Sequence, residues 1–202
     1  MQIIVHAVYK EAFWNLIMDV KFWLLHDNQK VLGVTSVREH ERTICELNSQ
    51  HIFPKPLSDL DVKLSSKKYN DFIWTWDSYL LMQDRTLVLL REEGFTGFDV
   101  RPATLNMKRR KKPTGDDQQS EIPKVWEVVT AGWGGMARSE SGIKLKEKCP
   151  GCNRQEYTFY KNPSLLIDPN SWDGSDFFMI WPMPMFRFIS DRLAQFIIKE
   201  KI

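Results

Sequence analysis

One short run, Cys149-Pro150-Gly151-Cys152, constrains this chain more than any other feature. Proline and glycine between two cysteines make a tight turn that aims both thiolates at one point, which is how half of a tetrahedral zinc site is built. A structural site needs four protein ligands, and the chain's one remaining cysteine is Cys45. Cys45, His40 and His51 are the residues available to complete a set, but their local spacing fits no standard second knuckle. The residues leave three readings of the Cys149/Cys152 pair open: an ordered zinc turn, a metal-free relic of one, or a redox dithiol. The last is disfavoured because no strand-to-helix context surrounds the motif. Three cysteines with one close pair suit a reducing compartment better than a disulfide scaffold, so a cytoplasmic protein is expected.

At 202 residues the chain is long enough for one compact domain with a proper core. Eight Trp and 12 Phe within a hydrophobic fraction of 43% argue for an ordered globular protein. Against 26 acidic residues stand 28 basic ones, and a net charge of +2 is too small for a broad nucleic-acid footprint. The run Lys108 to Lys112 continues into Asp116 and Asp117, so residues 108–122 read as a solvated linker between an N-terminal half, 1–107, and a C-terminal half, 123–202. The apolar N-terminus lacks a basic start and a small-residue cleavage site. Residues 177–186 contain two prolines and fall far short of the ~20 residues of a membrane helix. No membrane association is expected.

The pattern along the chain predicts an α+β fold, mainly antiparallel, with two or three helices and a zinc-knuckle-like turn. Residues 2–9 have the β-branched content of a strand, and 11–25 fit either a helix or a pair of aromatic strands. From Asp27 to Asp61 short strands and turns are expected. Trp74 and Trp76, two apart in an extended segment, would share a face. A helix is predicted from Asp84, as N-cap, to Gly94 at C′. Strands follow over 98–107, 124–130, 143–148 and 156–160, with a glycine turn at 132–135 that lets Trp133 pack. Ser190 and Asp191 start a final amphipathic helix with Leu193, Phe196, Ile197 and Ile198 toward the core.

No assembled catalytic set is visible. There is no His-Glu-x-x-His run and no Gly-x-Ser-x-Gly elbow, and no helix follows Gly132, Gly134 and Gly135 to offer its N-terminus to an anion. Asp173 and Asp176, three apart around an Asp-Gly turn, read as backbone-bonding turn residues anchored by Trp172 rather than as a catalytic pair.

Gly-Trp-Gly-Gly-Met-Ala (132–137), Ser-Gly-Ile-Lys-Leu (141–145), Cys-Pro-Gly-Cys, Leu-Ile-Asp-Pro-x-x-Trp-Asp-Gly-Ser-Asp-Phe-Phe (166–178) and Ile-Ser-Asp-Arg-Leu-Ala-Gln-Phe-Ile (189–197) together resemble the C-terminal half of the double-CXXCG motif proteins. These are bacterial immunity proteins associated with polymorphic toxins. The resemblance covers about 124–199, is weaker over 69–107 and is faint before 65. It implies a cytoplasmic, non-catalytic protein that binds a cognate toxin domain, delivered by a contact-dependent or type VI secretion route, and blocks it sterically. Trp74, Trp76, Asp116, Asp117, Asp173 and Asp176 are the candidate partner contacts.

The sequence departs from the family in lacking the first CXXCG. Gly33 to His40 resembles its place, with Ser36 and Glu39 where thiols would stand and His40 as a substitute ligand, and Cys152 is followed by Asn153 rather than Gly. Cys149 and Cys152 are thus candidate metal ligands with two partners missing, and no cofactor is assigned. The alternative function is a small zinc-dependent enzyme or regulator built on that pair.

Overall fold

Strands of the two large sheets alternate between apolar faces. The structure, a computed structural model, describes residues 4–7, 21–26, 35–64, 70–107 and 123–202. In chain order the elements are β1 (Ile4–Ala7), β2 (Phe22–His26), β3 (Thr35–Val37), β4 (His40–Ile44), β5 (Ile52–Pro56), β6 (Leu60–Leu64), β7 (Phe72–Trp74), β8 (Leu80–Gln83), α1 (Asp84–Glu92), β9 (Phe98–Met107), β10 (Val125–Thr130), β11 (Gly132–Met136), β12 (Leu145–Lys148), β13 (Gln155–Tyr157), β14 (Phe177–Trp181), β15 (Arg187–Ser190) and α2 (Asp191–Glu200). Two short 3-10 turns, Ser139–Ser141 and Pro163–Leu165, lie among the loops of the C-terminal half.

One sheet has the spatial order β1-β2-β15-β14-β11 and the other β3-β6-β9-β10-β8-β7. Successive side chains point to opposite faces of a strand. Phe177 therefore enters a cluster with Phe72, Leu80, Met82, Leu87 and Ile197, whereas Phe178 enters one with Phe22, Ile167, Ile180 and Phe188. In the second sheet Phe72 and Met82 face the first of these clusters, and Ile73 and Leu81 face a third with Leu60, Val62 and Leu105. The first cluster thus lies between the two sheets, together with the apolar sides of both helices.

The fold is α+β and rich in strands, but its sheets are mixed rather than mainly antiparallel. β6 runs parallel to β9 and β11 parallel to β14. The second of these pairs also corrects the expected glycine turn at 132–135, which is strand β11. A Cβ at Gly132 would overlap Ser175 and the Phe177 carbonyl, and one at Gly134 would meet the Phe178 ring, so the glycines let β11 lie flush on β14. Gly135 takes φ +82° where the register shifts. Trp133 is 40% exposed and does not pack inward.

The helix α1 closes as its sequence indicates. Gly94 adopts φ +68°, its N–H bonds Arg91 O at 3.1 Å, and the Phe95 N–H bonds Leu90 O at 3.0 Å. Asp84 is not its N-cap. It is the first helical residue, and its Oδ1 accepts instead from Trp126 Nε1 at 2.6 Å. In α2 the Ser190 Oγ accepts from the Leu193 N–H at 3.2 Å, a proper N-cap, and Leu193 and Ile197 are buried. Ile198 is exposed, contrary to expectation, because it falls a further 100° around the helix from Ile197. The segment read as helix or aromatic strands over 11–25 is strand from Phe22 onward, and its first ten residues lie outside the described residues. Strands expected at 143–148 and 156–160 are shorter, at β12 and β13.

Candidate functional site

Two hairpins stand apart from the sheets. β4 pairs with β5 and β12 with β13, each as a separate two-stranded unit. All five residues of β5 and all four of β12 are exposed. An isolated two-stranded hairpin is marginal in water, and none of the three apolar clusters draws on these strands.

The end of the β4–β5 hairpin is closed by Cys45 and His51. Cys45 N–H donates to His51 O at 3.0 Å, and the His51 N–H donates to Asn48 O at 3.0 Å, which sets the thiol and the imidazole opposite each other across the loop. The β12–β13 hairpin ends in the Cys-Pro-Gly-Cys turn. There Cys149 N–H donates to Arg154 O at 2.8 Å and Asn153 N–H to Cys149 O at 2.9 Å, while Asn153 takes φ +58°, a left-handed conformation that Asn tolerates.

These two ends meet. Cys45 and Cys149 are buried, His51 and Cys152 half-buried, and one ligand atom from each lies within 4.8 Å of all the others. Cys45 Sγ is 3.8 Å from Cys149 Sγ, and Cys152 Sγ is 3.4 Å from His51 Nδ1. Asn48 holds the other ring nitrogen at 3.3 Å. Backbone N–H groups of Cys152 and Gly151 point at the Cys149 sulfur and lower its pKa to about 6, favouring the thiolate. Burial pushes the Cys152 thiol up. Three sulfurs and one imidazole nitrogen converging in this way can bind a soft or borderline cation, and among the described residues this is the one cluster with such a ligand set.

Cys152 also borders a cleft of about 590 Å³ between the β13 segment and the turn after β14. Its walls are mostly apolar, with Phe53, Tyr157, Phe159, Trp181, Met185 and Phe186, and carry Arg154 and Glu156 as well. Phe159 stacks on Tyr160 with centroids 4.4 Å apart, and Trp181 Nε1 donates to the Tyr157 hydroxyl at 3.2 Å. Phe159 and Met185 are 65% and 55% exposed, so the lining faces water.

Ser36, Glu39 and His40, which stand where the family's first CXXCG would lie, are not part of the cluster. Ser36 donates to Asp77 Oδ2 at 2.5 Å, and His40 lies on β4 with Nε2 3.4 Å from the Tyr79 hydroxyl, so neither approaches the thiols. Glu39 uses its backbone N–H on Ser58 Oγ at 3.0 Å. Of the residues the sequence left available to complete a set, the fold brings Cys45 and His51 to the turn, which their local spacing did not indicate.

Asp173 and Asp176 are committed within the chain. Asp173 accepts from the Trp133 N–H at 2.7 Å and the Ser175 N–H at 2.9 Å. Asp176 is buried and accepts from Thr96 N–H at 3.0 Å, Ser190 Oγ at 2.7 Å and Arg192 Nη2 at 2.6 Å. Burial alone would push its carboxyl up, but these donors outweigh it and hold the group below the ordinary carboxylate range. Trp172 anchors the loop as expected, with its ring 5.1 Å from Phe22 and its Nε1 on Ser175 O at 2.9 Å. Trp74 and Trp76 part company. Trp74 ends β7 and packs on the central cluster, while Trp76 sits in the following turn, 73% exposed. Asp116, Asp117 and the basic run 108–112 lie outside the described residues.

Sequence reading also missed a buried ion pair. Arg38 makes a two-pronged bond to Glu127 on β10, with Nη1 to Oε1 at 3.0 Å, and its guanidinium lies 5.0 Å from the Tyr79 ring centroid. The two side chains are 2% and 7% exposed. The lone Glu127 in the apolar run Val125 to Val129 was the available signal, since a buried carboxylate requires a partner.

No family model matches this chain, and no curated protein matches it.

Proposed function

We propose that this protein is an immunity protein: it binds a cognate secreted toxin domain in the cytoplasm and neutralises it by covering it. Supporting this reading is the resemblance over about 124–199 to double-CXXCG motif proteins, whose shared segments here form β11, the knuckle turn, β14 and α2. The observation that carries it furthest is the fate of the reactive side chains. Asp173 and Asp176 are spent on backbone and arginine, and the Cys/His cluster already offers four ligands, which leaves a bound metal no open position for substrate or water. That argues against the alternative of a small zinc-dependent enzyme. What the surface offers instead is the aromatic-lined cleft. Exposed rings and methionine beside a cleft suit a protein partner, for which a stable complex covers roughly 800 Å² on each side with a few buried aromatic anchors. Among the described residues no helix is long and apolar enough to cross a membrane.

Co-expression with the toxin domain encoded by the adjacent reading frame tests the reading. Growth should be restored and a 1:1 complex should co-purify, and Phe159→Asp, on an exposed ring, should weaken that complex without unfolding the chain. Failure to rescue growth together with failure to form a complex sinks the proposal.

A further inference from the structure

We propose that Cys45, His51, Cys149 and Cys152 are the ligands of a resident zinc ion, in a closed structural site that fastens the β4–β5 hairpin to the β12–β13 hairpin. The assignment does not come with the family resemblance, which reaches only Cys149 and Cys152. Cys45 and His51 stand where that resemblance is faint.

Three observations converge. The first is the size of the cluster. A zinc tetrahedron with bonds of about 2.3 Å to sulfur and about 2.0 Å to nitrogen has S–S edges of about 3.8 Å and S–N edges of about 3.5 Å. The Cys45–Cys149 and Cys152–His51 separations are 3.8 and 3.4 Å. A disulfide, at about 2.05 Å between sulfurs, is a far shorter contact. The second is the fit of the two loops. A Cβ on Gly151 would come 2.9 Å from Leu47 Cγ and 3.3 Å from Cys45 Sγ, so the knuckle is pressed against the opposing hairpin as closely as a glycine allows. The third is need. Strand residues of both hairpins are largely exposed, and none of the three apolar clusters draws on β4, β5, β12 or β13.

Ligand chemistry selects the metal. Three thiolates and one imidazole in a tetrahedral arrangement suit zinc, whereas calcium and magnesium require oxygen ligands and copper(II) a tetragonal site. With all four positions filled by protein the ion organises structure and activates no water. The site stands whichever partner the protein meets.

The full chain, purified without chelator, should carry one zinc per molecule by elemental mass spectrometry. Exchange for cobalt(II) should give the d–d bands of a tetrahedral ion and thiolate-to-cobalt charge transfer of an intensity fitting three thiolates. Cys45→Ser and His51→Ala should each weaken zinc binding by roughly 100-fold or more, as loss of one of four ligands from a site whose binding energy is folding energy. His51→Cys should restore stoichiometric zinc, and His40→Ala should change nothing. Should the single-ligand variants fail to fold, the cobalt spectrum of the unaltered chain decides by itself. A folded chain that takes up no zinc, cobalt spectra showing two thiolates or fewer, or zinc affinity indifferent to Cys45 and His51 would each overturn the assignment.

Discussion

The two-sheet body and the pair of outlying hairpins stabilise strands by opposite means. In the body, alternation of side chains places each sheet between two apolar layers, and residues such as Phe72, Phe177, Phe178 and Phe188 are buried almost completely. In the hairpins the same alternation has nothing to bury: β4 reads His-Glu-Arg-Thr-Ile and β12 Leu-Lys-Glu-Lys, and both lie open to water. What brings them together is four converging Cys and His side-chain atoms at one end. The contrast shows that a strand's sequence is legible only against what it packs on.

Three perturbations set the two regions against each other. The largest is Phe177→Ala, which opens a cavity among Phe72, Phe98 and the helices. It should cost roughly 3–5 kcal/mol in denaturant unfolding while leaving zinc content unchanged. A loss of metal along with stability would show that the hairpins depend on the body's packing after all.

Next comes Asp176, whose carboxylate joins β14, the Thr96 turn and Arg192. Asp176→Asn should cost about 1.5–3 kcal/mol at neutral pH, the range for hydrogen bonds to a charged group. Its folded pKa is depressed, so the stabilisation is fully present above the unfolded value of about 3.9 and is lost as pH falls through the folded value. The gap between wild type and variant, followed by thermal unfolding from pH 7 to pH 2, should therefore close on the acid side. A gap that is constant with pH would mean that charge plays no part in this junction.

The smallest effect belongs to the hairpins' surface. Lys146 and Glu156 pair at 2.8 Å across β12–β13, both more than half exposed. Lys146→Ala should change stability by less than about 0.5 kcal/mol, because solvent screens the pair. A larger loss, or a loss of zinc, would mean that the hairpin is held by its side-chain pairs rather than by the cluster at its end.

Much of the body could be read locally. Gly94 ends α1 through a left-handed residue, Ser190 caps α2, and Asp173 bonds the Ser175 N–H as an Asx residue does, since each of these roles is settled within a few residues of chain, whereas Asp176 bonds Thr96 80 residues away. Half of the Cys/His cluster was equally plain, because proline and glycine between Cys149 and Cys152 dictate the turn. For the other half the residues left Cys45, His40 and His51 as candidates without deciding among them, because Cys45 lies 104 residues away from Cys149 and His51 101 from Cys152, and the family resemblance pointed instead to Ser36, Glu39 and His40. The glycine run at 132–135 misled for a related reason. Glycine is as apt to permit a close strand approach as to make a turn, and only Ser171, Ser175 and Phe178 against β11 distinguish the two.

By itself the sequence determined the knuckle turn, the glycine end of α1, the serine cap of α2 and the need for an aromatic core, because these follow from backbone geometry and hydrophobic periodicity over short stretches. The tertiary structure alone decided that β6 and β9, and β11 and β14, run parallel, that Glu127 is answered by Arg38, and that Cys45 and His51 complete the thiol pair. Each of those depends on which distant segments meet once the apolar layers have closed, and no local pattern encodes that encounter.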